Sequence, residues 1–117
     1  PDYAHAYNAL GYTLADRTSR IPEAIELLEK ALKLEPDDPF ILDSMGWALF
    51  KAKRYGEAVD YLRRAYAAKP DPEIAAHYGE ALWMKGDREE ARKVWKNGLK
   101  TYPDNETLRD VASRLMP

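Results

Sequence analysis

The stretch that decides the fold is residues 43–70, which read DSMGWALFKAKRYGEAVDYLRRAYAAKP. It carries small residues and one large apolar residue at fixed distances before a proline, at Gly46, Ala58, Leu62, Ala65 and Pro70. Small residues let two helices approach closely, and a proline ends a helix because it lacks a backbone amide and clashes with the preceding turn. The stretch therefore predicts two antiparallel helices that pack closely and stop at Pro70.

The same pattern occurs three times along the chain. The glycines lie 35 and 33 residues apart, at Gly11, Gly46 and Gly79. The four positions after the glycine are small, large apolar, small and proline. In the first copy they hold Ala24, Leu28, Ala31 and Pro36, and in the third copy they hold Ala91, Trp95, Gly98 and Pro103. One helix pair cannot bury its apolar face alone, so such pairs stack. We predict three repeats, at about residues 3–36, 39–70 and 72–103.

Capping residues mark the predicted helix ends. We predict helices at about residues 3–16, 22–34, 39–52, 56–68, 72–84 and 88–100. An aspartate precedes a proline at residues 38–39 and again at residues 71–72, which is typical of an N-cap followed by a first-turn proline. Asp87 is predicted to cap the helix that begins near Arg88.

A seventh helix is predicted at about residues 105–116. Its apolar residues form one stripe at helical spacing, namely Leu108, Val111, Ala112 and Leu115. A stack of helix pairs needs such a one-sided lid where it stops. The front face around Tyr3, Ala6, Tyr7 and Leu10 has no equivalent lid, and the chain does not begin with methionine. We therefore expect further repeats upstream, so that this chain is the C-terminal fragment of a longer repeat protein. Self-association through this N-terminal face is an alternative function.

Composition limits the partner classes. The 117 residues are 45% hydrophobic and 32% charged, with a net charge of -2 and no cysteine. These values predict a single folded domain over residues 1–117 without disulfides, and they do not favour a nucleic-acid partner. No apolar run approaches the roughly 18 residues that span a bilayer, so we expect no direct membrane insertion by this fragment.

The threefold pattern resembles the tetratricopeptide repeat family. It departs from the usual family pattern at Leu14, Leu49 and Leu82, where a tyrosine is common, and at Gly98, where alanine is common. The resemblance implies an all-α fold, a right-handed α-solenoid whose concave groove is lined by the first helix of each repeat. Members of the family are mostly binding scaffolds, so the resemblance implies a protein or peptide partner and no enzymatic activity.

Residues 43–47 and 70–77 are also similar to the last repeats of bacterial envelope tetratricopeptide lipoproteins. Some of those proteins are adaptors that recruit and activate a C-terminal processing protease against cell-wall hydrolases. This narrower resemblance implies an adaptor role, a protease as a partner, and a location in the cell envelope or periplasm. If this narrower resemblance does not hold, the expected location is the cytoplasm.

Helical spacing identifies the residues expected to line the groove. The predicted partner-binding set is Tyr12, Phe40, Asp43, Trp47, Phe50, Glu73, His77, Glu80 and Trp83. The predicted helix at 39–52 is apolar on two sides, so either a partner or neighbouring helices must cover the second side. Trp47 is compatible with a groove residue or with a wedge between adjacent helices. Aromatic residues near Asp16, Asp43, Glu73 and Glu80 suit a peptide with apolar anchors and some basic residues.

Other chemistry is not favoured. One subtype of the family binds a terminal carboxylate with lysine, asparagine and arginine side chains six and two residues before the repeat glycines. In this sequence the positions hold His5, Ala9, Phe40, Ser44, Glu73 and His77, so the cations of that carboxylate clamp are missing. We interpret His77 and Glu80, one helical turn apart, as a surface pair rather than a metal site. No phosphate loop or nucleophile motif occurs. We predict no catalytic residues, no metal and no cofactor.

Overall fold

The computed structural model describes residues 3–115, and this part of the chain is entirely α-helical apart from short turns. The helices are α1 (Tyr3–Arg17), α2 (Ile21–Leu34), α3 (Pro39–Lys51), α4 (Tyr55–Ala68), α5 (Pro72–Lys85), α6 (Arg88–Thr101) and α7 (Glu106–Leu115). The predicted helices are confirmed, with ends that differ by one residue in most cases. The predicted extension of the last helix to Met116 lies outside the described residues.

The helices pack as three pairs with a seventh helix at the end. α1 packs on α2, α3 on α4 and α5 on α6, while α7 packs on both α5 and α6. The first helices of the pairs also contact one another, α1 with α3 and α3 with α5. The result is an elongated stack of 40 × 25 × 21 Å, which confirms the predicted all-α solenoid.

The two helices of each pair meet at a glycine. A Cβ atom on Gly46 would lie 2.5 Å from Cγ of Leu62, and one on Gly11 would lie 2.7 Å from Cγ of Leu28. On Gly79 it would overlap the indole ring of Trp95. The large partners are fully buried, and each buried side chain of this size stabilises the fold by roughly 2–3 kcal/mol. The predicted close approach at the repeat glycines is therefore confirmed.

Helix α3 lies at the centre of the stack. Every residue from Ile41 to Leu49 is buried, because α1, α2, α4 and α5 all contact this helix. The sequence left open whether a partner or neighbouring helices cover its second apolar side. Neighbouring helices cover most of it.

Two of the three predicted caps are confirmed. The Asp38 carboxylate accepts hydrogen bonds from the backbone N–H groups of Phe40 at 2.9 Å and Ile41 at 3.1 Å. Asp71 accepts from the first turn of α5 in the same way. The prediction for Asp87 is wrong, because its side chain makes no capping bond and instead pairs with Lys85 at 3.3 Å. The physical reason is backbone geometry: ψ is 65° at Asp87 but 120° at Asp38, and a capping side chain needs the extended conformation.

The last helix closes the stack as predicted. Leu108, Val111 and Ala112 are buried, and Leu115 is half-buried. Leu108 lies over Gly98, where an added Cβ would be 3.0 Å from Cδ1 of the leucine. Within residues 3–115, no helix combines the length and the apolar character needed to cross a bilayer.

The glycine contacts generate a stability prediction. Replacing Gly79→Ala should lower the free energy of unfolding by about 1–3 kcal/mol, because the new methyl group overlaps the fully buried Trp95. Gly56→Ala is the matched control, since nothing lies within 4 Å of a Cβ added there. It should be neutral or raise the free energy of unfolding by up to about 1 kcal/mol, because alanine is the better helix former. Urea denaturation followed by circular dichroism measures both, and equal effects would contradict the interpretation.

Candidate partner-binding groove

A concave pocket of about 350 Å³ lies between the first helices of the three repeats. Helix α1 contributes Asn8, Ala9 and Tyr12, α3 contributes Phe40, Asp43 and Ser44, and α5 with its cap contributes Asp71, Glu73 and His77. We call this set of residues the inner pocket. Each helix lies there because the repeat glycines hold its other side against a second helix.

The structure brings together five of the nine predicted groove residues. Those that line the inner pocket are Tyr12, Phe40, Asp43, Glu73 and His77. Trp47, Phe50, Glu80 and Trp83 are not among its lining residues. Among the lining residues outside the predicted set, Asn8 lies on the groove face that helical spacing assigns to the first helix, four residues before Tyr12. Nothing in the sequence marks Asp71 as a groove residue, because its position before Pro72 is already explained by its role as the N-cap of α5.

A buried polar pair joins the second and third repeats on the pocket wall. Nδ1 of His77 donates a hydrogen bond to the Asp43 carboxylate at 2.8 Å, and both residues are buried. The interpretation of His77 and Glu80 as a surface pair is therefore wrong, since the hydrogen-bond partner of His77 is 34 residues away. Burial by itself lowers the pKa of His77, but the carboxylates of Asp43, Glu73 and Glu80 outweigh it and raise the pKa above the ordinary value of 6.5.

Trp47 is a wedge between neighbouring helices. Its indole stacks on His77 at 4.2 Å and on Phe50 at 4.8 Å between ring centroids. Its Nε1 donates to the Asp16 carboxylate of the first repeat at 3.1 Å. Only 8% of the residue is exposed. The sequence left open whether Trp47 is a groove residue or a wedge between helices, and its contacts are those of a wedge.

Phe50 and Trp83 lie near the turns between the two helices of their repeats. The Phe50 ring meets Tyr55 edge-on at 5.5 Å, just after the α3–α4 turn. The Trp83 ring stacks on Trp95 at 5.7 Å, and the Arg88 guanidinium lies 4.6 Å from its centroid. Both rings are half-buried, so each keeps some accessible surface away from the inner pocket.

Helix α7 engages two of the predicted groove carboxylates. The Thr107 hydroxyl donates to Oε1 of Glu73 at 3.0 Å. The Arg114 guanidinium lies 3.5 Å from the Glu80 carboxylate, whose side chain is only 16% exposed. Glu80 is therefore held within the chain, while Glu73 remains exposed and lines the pocket.

The inner pocket is acidic. Burial, followed by the charges of Asp16, Asp43 and Glu73, raises the pKa of Tyr12 to about 12. The lining residues include three carboxylates and, within the described chain, no lysine or arginine. The Oδ1 atom of Asn8 is buried and accepts no hydrogen bond from any described residue. The pocket therefore offers negative charge beside two aromatic rings.

The inner pocket presents aromatic and acidic side chains to solvent. Residues 3–115 contain no group of three histidine, cysteine, aspartate or glutamate side chains placed to hold a metal ion. What the pocket presents to solvent is the half-buried Tyr12, the exposed Phe40 and the exposed Glu73. Aromatic rings beside polar groups are common in sites that hold a segment of another protein.

Comparison with known proteins identifies the repeat. Tetratricopeptide repeat family models match residues 4–38 and residues 49–115. A curated relative from Pseudomonas aeruginosa, TPR repeat-containing protein PA4667, is 60% identical over 80 residues, covering 68% of this chain and 14% of that protein. Small glutamine-rich tetratricopeptide repeat-containing protein 2 from Mycosarcoma maydis is 30% identical over 89 residues, covering 74% of this chain and 25% of that protein. This chain thus spans a quarter or less of the length of these two relatives.

Solved structures share the fold. The first TPR domain of the human RPAP3 protein matches with a TM-score of 0.86 at 21% identity, covering 98% of this chain and 91% of that domain. The first TPR of Spaghetti (RPAP3), bound to the HSP90 peptide SRMEEVD, matches with a TM-score of 0.80 at 22% identity, covering 97% of this chain and 94% of that one. At these identities the likeness concerns the fold alone.

The buried pair predicts a pH-dependent stability. The pKa of His77 is higher in the folded chain than its ordinary value. The Asp43–His77 pair therefore contributes its full stability when the pH is below the pKa of the unfolded chain. This contribution is lost as the pH rises through the pKa of the folded chain. The difference in free energy of unfolding between the wild type and His77→Gln should therefore be largest near pH 5 and should shrink towards about pH 9. Urea denaturation at several pH values measures it. A difference that stays constant, or grows with pH, would contradict the assignment.

Proposed function

The chain belongs to the tetratricopeptide repeat family, and we propose that it is a protein-interaction scaffold that holds a segment of a partner protein in the inner pocket. The observation that carries this proposal is the concave pocket of about 350 Å³ that residues from three repeats line together. A cavity of this size accommodates one or two side chains of a peptide, near the lower end of the range for ligand pockets. We propose no catalytic step for this part of the chain.

The structural neighbours support a peptide as the bound species. The Spaghetti repeat domain holds the HSP90 peptide SRMEEVD on the same fold. That peptide ends in acidic residues, whereas the inner pocket of this chain carries Asp43, Asp71 and Glu73. Like charges in a partly buried site repel one another. We therefore propose that this chain holds a different class of peptide.

The adaptor role is a narrower proposal. The resemblance to envelope lipoproteins implied that the partner is a protease and that the scaffold brings it to cell-wall hydrolases. The 60% identity to a Pseudomonas aeruginosa protein supports a bacterial repeat protein. A groove that grips one partner and an outer surface that contacts another would suit an adaptor. Co-purification of the full-length protein with a protease is the direct test.

Phe40 provides a test of the pocket that spares the core. The ring lines the pocket but is 42% exposed, so Phe40→Ala should leave folding intact and weaken binding of a selected peptide by roughly 5- to 30-fold. The peptide comes from a display library selected on the wild-type chain, and fluorescence polarisation measures its affinity. Tyr102→Ala is the matched control, because Tyr102 is an aromatic residue of 41% exposure outside the pocket.

Two results would argue against the pocket. One is equal affinity of the selected peptide for the wild type and Phe40→Ala. The other is equal weakening by Phe40→Ala and Tyr102→Ala. Trp47 is a poorer probe than Phe40, since it is 8% exposed and its replacement would disturb packing as well as binding.

A second candidate function is self-association through the N-terminal face. The residue just before each repeat glycine is Leu10, Met45 or Tyr78. Met45 is 2% and Tyr78 5% exposed, but Leu10 is 53% exposed, because α1 has no preceding helix pair among the described residues. Tyr3 and Leu34 are also exposed nearby on α1 and α2. A second copy that covers this face would bury an apolar surface of the kind that the repeats bury internally.

Sedimentation velocity tests this second function. If the chain self-associates through this face, the sedimentation coefficient of the 13.4 kDa chain rises with concentration. Leu10→Lys should abolish this rise, because burying an unpaired charge in the interface is costly. Met84→Lys is the control, since Met84 is 46% exposed on α5. A wild-type chain that remains monomeric at high concentration would exclude self-association by this face.

A further inference from the structure

We propose that the inner pocket recognises a basic side chain, that of a lysine, on the bound segment of the partner protein. This inference rests on the proposed function, because it assigns the chemistry of the group that enters the pocket. The partner is then a protein whose docking segment carries a lysine flanked by apolar residues.

The walls of the pocket are negatively charged. Asp43, Asp71 and Glu73 line the pocket without a lysine or arginine among the described lining residues. Each carboxylate already accepts hydrogen bonds at one oxygen, Asp71 at Oδ2 from two backbone N–H groups, Asp43 at Oδ1 from His77 and Glu73 at Oε1 from Thr107. Asp43 is buried and Asp71 is half-buried, whereas Glu73 is exposed. Glu73 is therefore the carboxylate that a cation reaches most easily.

Asn8 lines the pocket on α1. Its Oδ1 atom is enclosed within the protein, and no described residue donates a hydrogen bond to it. A buried acceptor without a donor destabilises the fold. An ammonium group carries three donors and no acceptor, so it could bind Glu73 and, once the Asn8 side chain turns Oδ1 towards the pocket, Asn8 as well. An entering carboxylate could bind neither.

Two of the pocket walls are aromatic. Tyr12 and Phe40 line the same pocket, from α1 and α3. The faces of such rings attract cations, and the Lys69 ammonium already lies 5.3 Å from the Phe40 centroid. The methylene stem of a lysine would pack on these rings while its charged end reaches the polar groups.

The charges that act on Tyr12 and His77 come from several helices. The negative groups that act on the buried pocket residues are Asp16, Asp43, Glu73 and Glu80. Arg17 opposes them at Tyr12, and His77 carries positive charge when protonated. Neither Arg17 nor Lys69 lines the pocket. The negative groups therefore dominate. They raise the pKa of His77 against the effect of burial, and at Tyr12 they add to the effect of burial, which is the larger cause.

The experiment uses synthetic peptide pools and the isotope-labelled 117-residue chain. Each pool has blocked ends and apolar residues around one central position, which is lysine, norleucine or glutamate. A further pool has a free N-terminus and no lysine. NMR titration follows the amide signals of the pocket residues, and the lysine pool should bind about fivefold more tightly than the norleucine pool, as expected for one partly exposed ion pair. This preference should decrease as salt is added.

Two variants assign the preference to the pocket. Glu73→Gln removes one charge but keeps an acceptor oxygen for Thr107, and it should abolish most of the preference for lysine while leaving the norleucine pool unchanged. Asn8→Ala should also reduce the preference. Glu29→Gln is the control, because it removes the same charge from an exposed position on α2 outside the pocket.

The outcomes separate this inference from the proposed function. If no pool shifts the pocket signals, the proposed function fails and the inference fails with it. If the pools bind but lysine and norleucine bind equally, the pocket is a peptide site without the proposed preference. A preference that survives Glu73→Gln, or tighter binding by the glutamate or free-terminus pool, also overturns the inference while leaving the peptide site in place.

Discussion

The close contact between a glycine of the first helix and a large side chain of the second is the constraint on which the structure depends. Gly46 has no room for a methyl group beside Leu62, and Gly79 has none beside Trp95. The large side chains on the remaining faces of each helix pair are then buried against the next pair. This is why α3, in the middle of the stack, is buried along almost its whole length. Stacking in one direction follows, and it leaves the first helices side by side.

The face shared by the first helices is joined by polar bonds between adjacent repeats. Each bond connects residues about one repeat apart, in the pairs Asp16–Trp47, Asp43–His77 and Glu73–Thr107. Helix α7 continues the series, because Thr107 and Arg114 reach the carboxylates of α5. The two bonds that are buried or half-buried, Asp16–Trp47 and Asp43–His77, fix the relative position of neighbouring helices.

The inner pocket lies beside this series of bonds. Asn8 retains a buried acceptor with no donor among the described residues, and Glu73 is an exposed carboxylate that Thr107 engages at Oε1. The solved neighbours share the helix arrangement at TM-scores of 0.80 and above but only 21–22% identity. The stack depends on the small residues where helices meet, so the groove side chains can vary without a change of fold.

The sequence by itself determined the helices, the repeat length, two of the three caps and the closing helix. These follow from local rules: proline ends a helix, aspartate caps one in extended backbone, and apolar residues recur every three or four positions. Helical spacing also located Tyr12, Phe40 and Glu73 on one face, and the structure brings them into one pocket. Only the tertiary structure decided that Trp47 is a wedge, that His77 pairs with Asp43, and that Trp83 lies against α6. Periodicity tells which side of a helix a residue occupies, but the neighbour that it meets depends on how far each helix pair is turned and shifted on the one before.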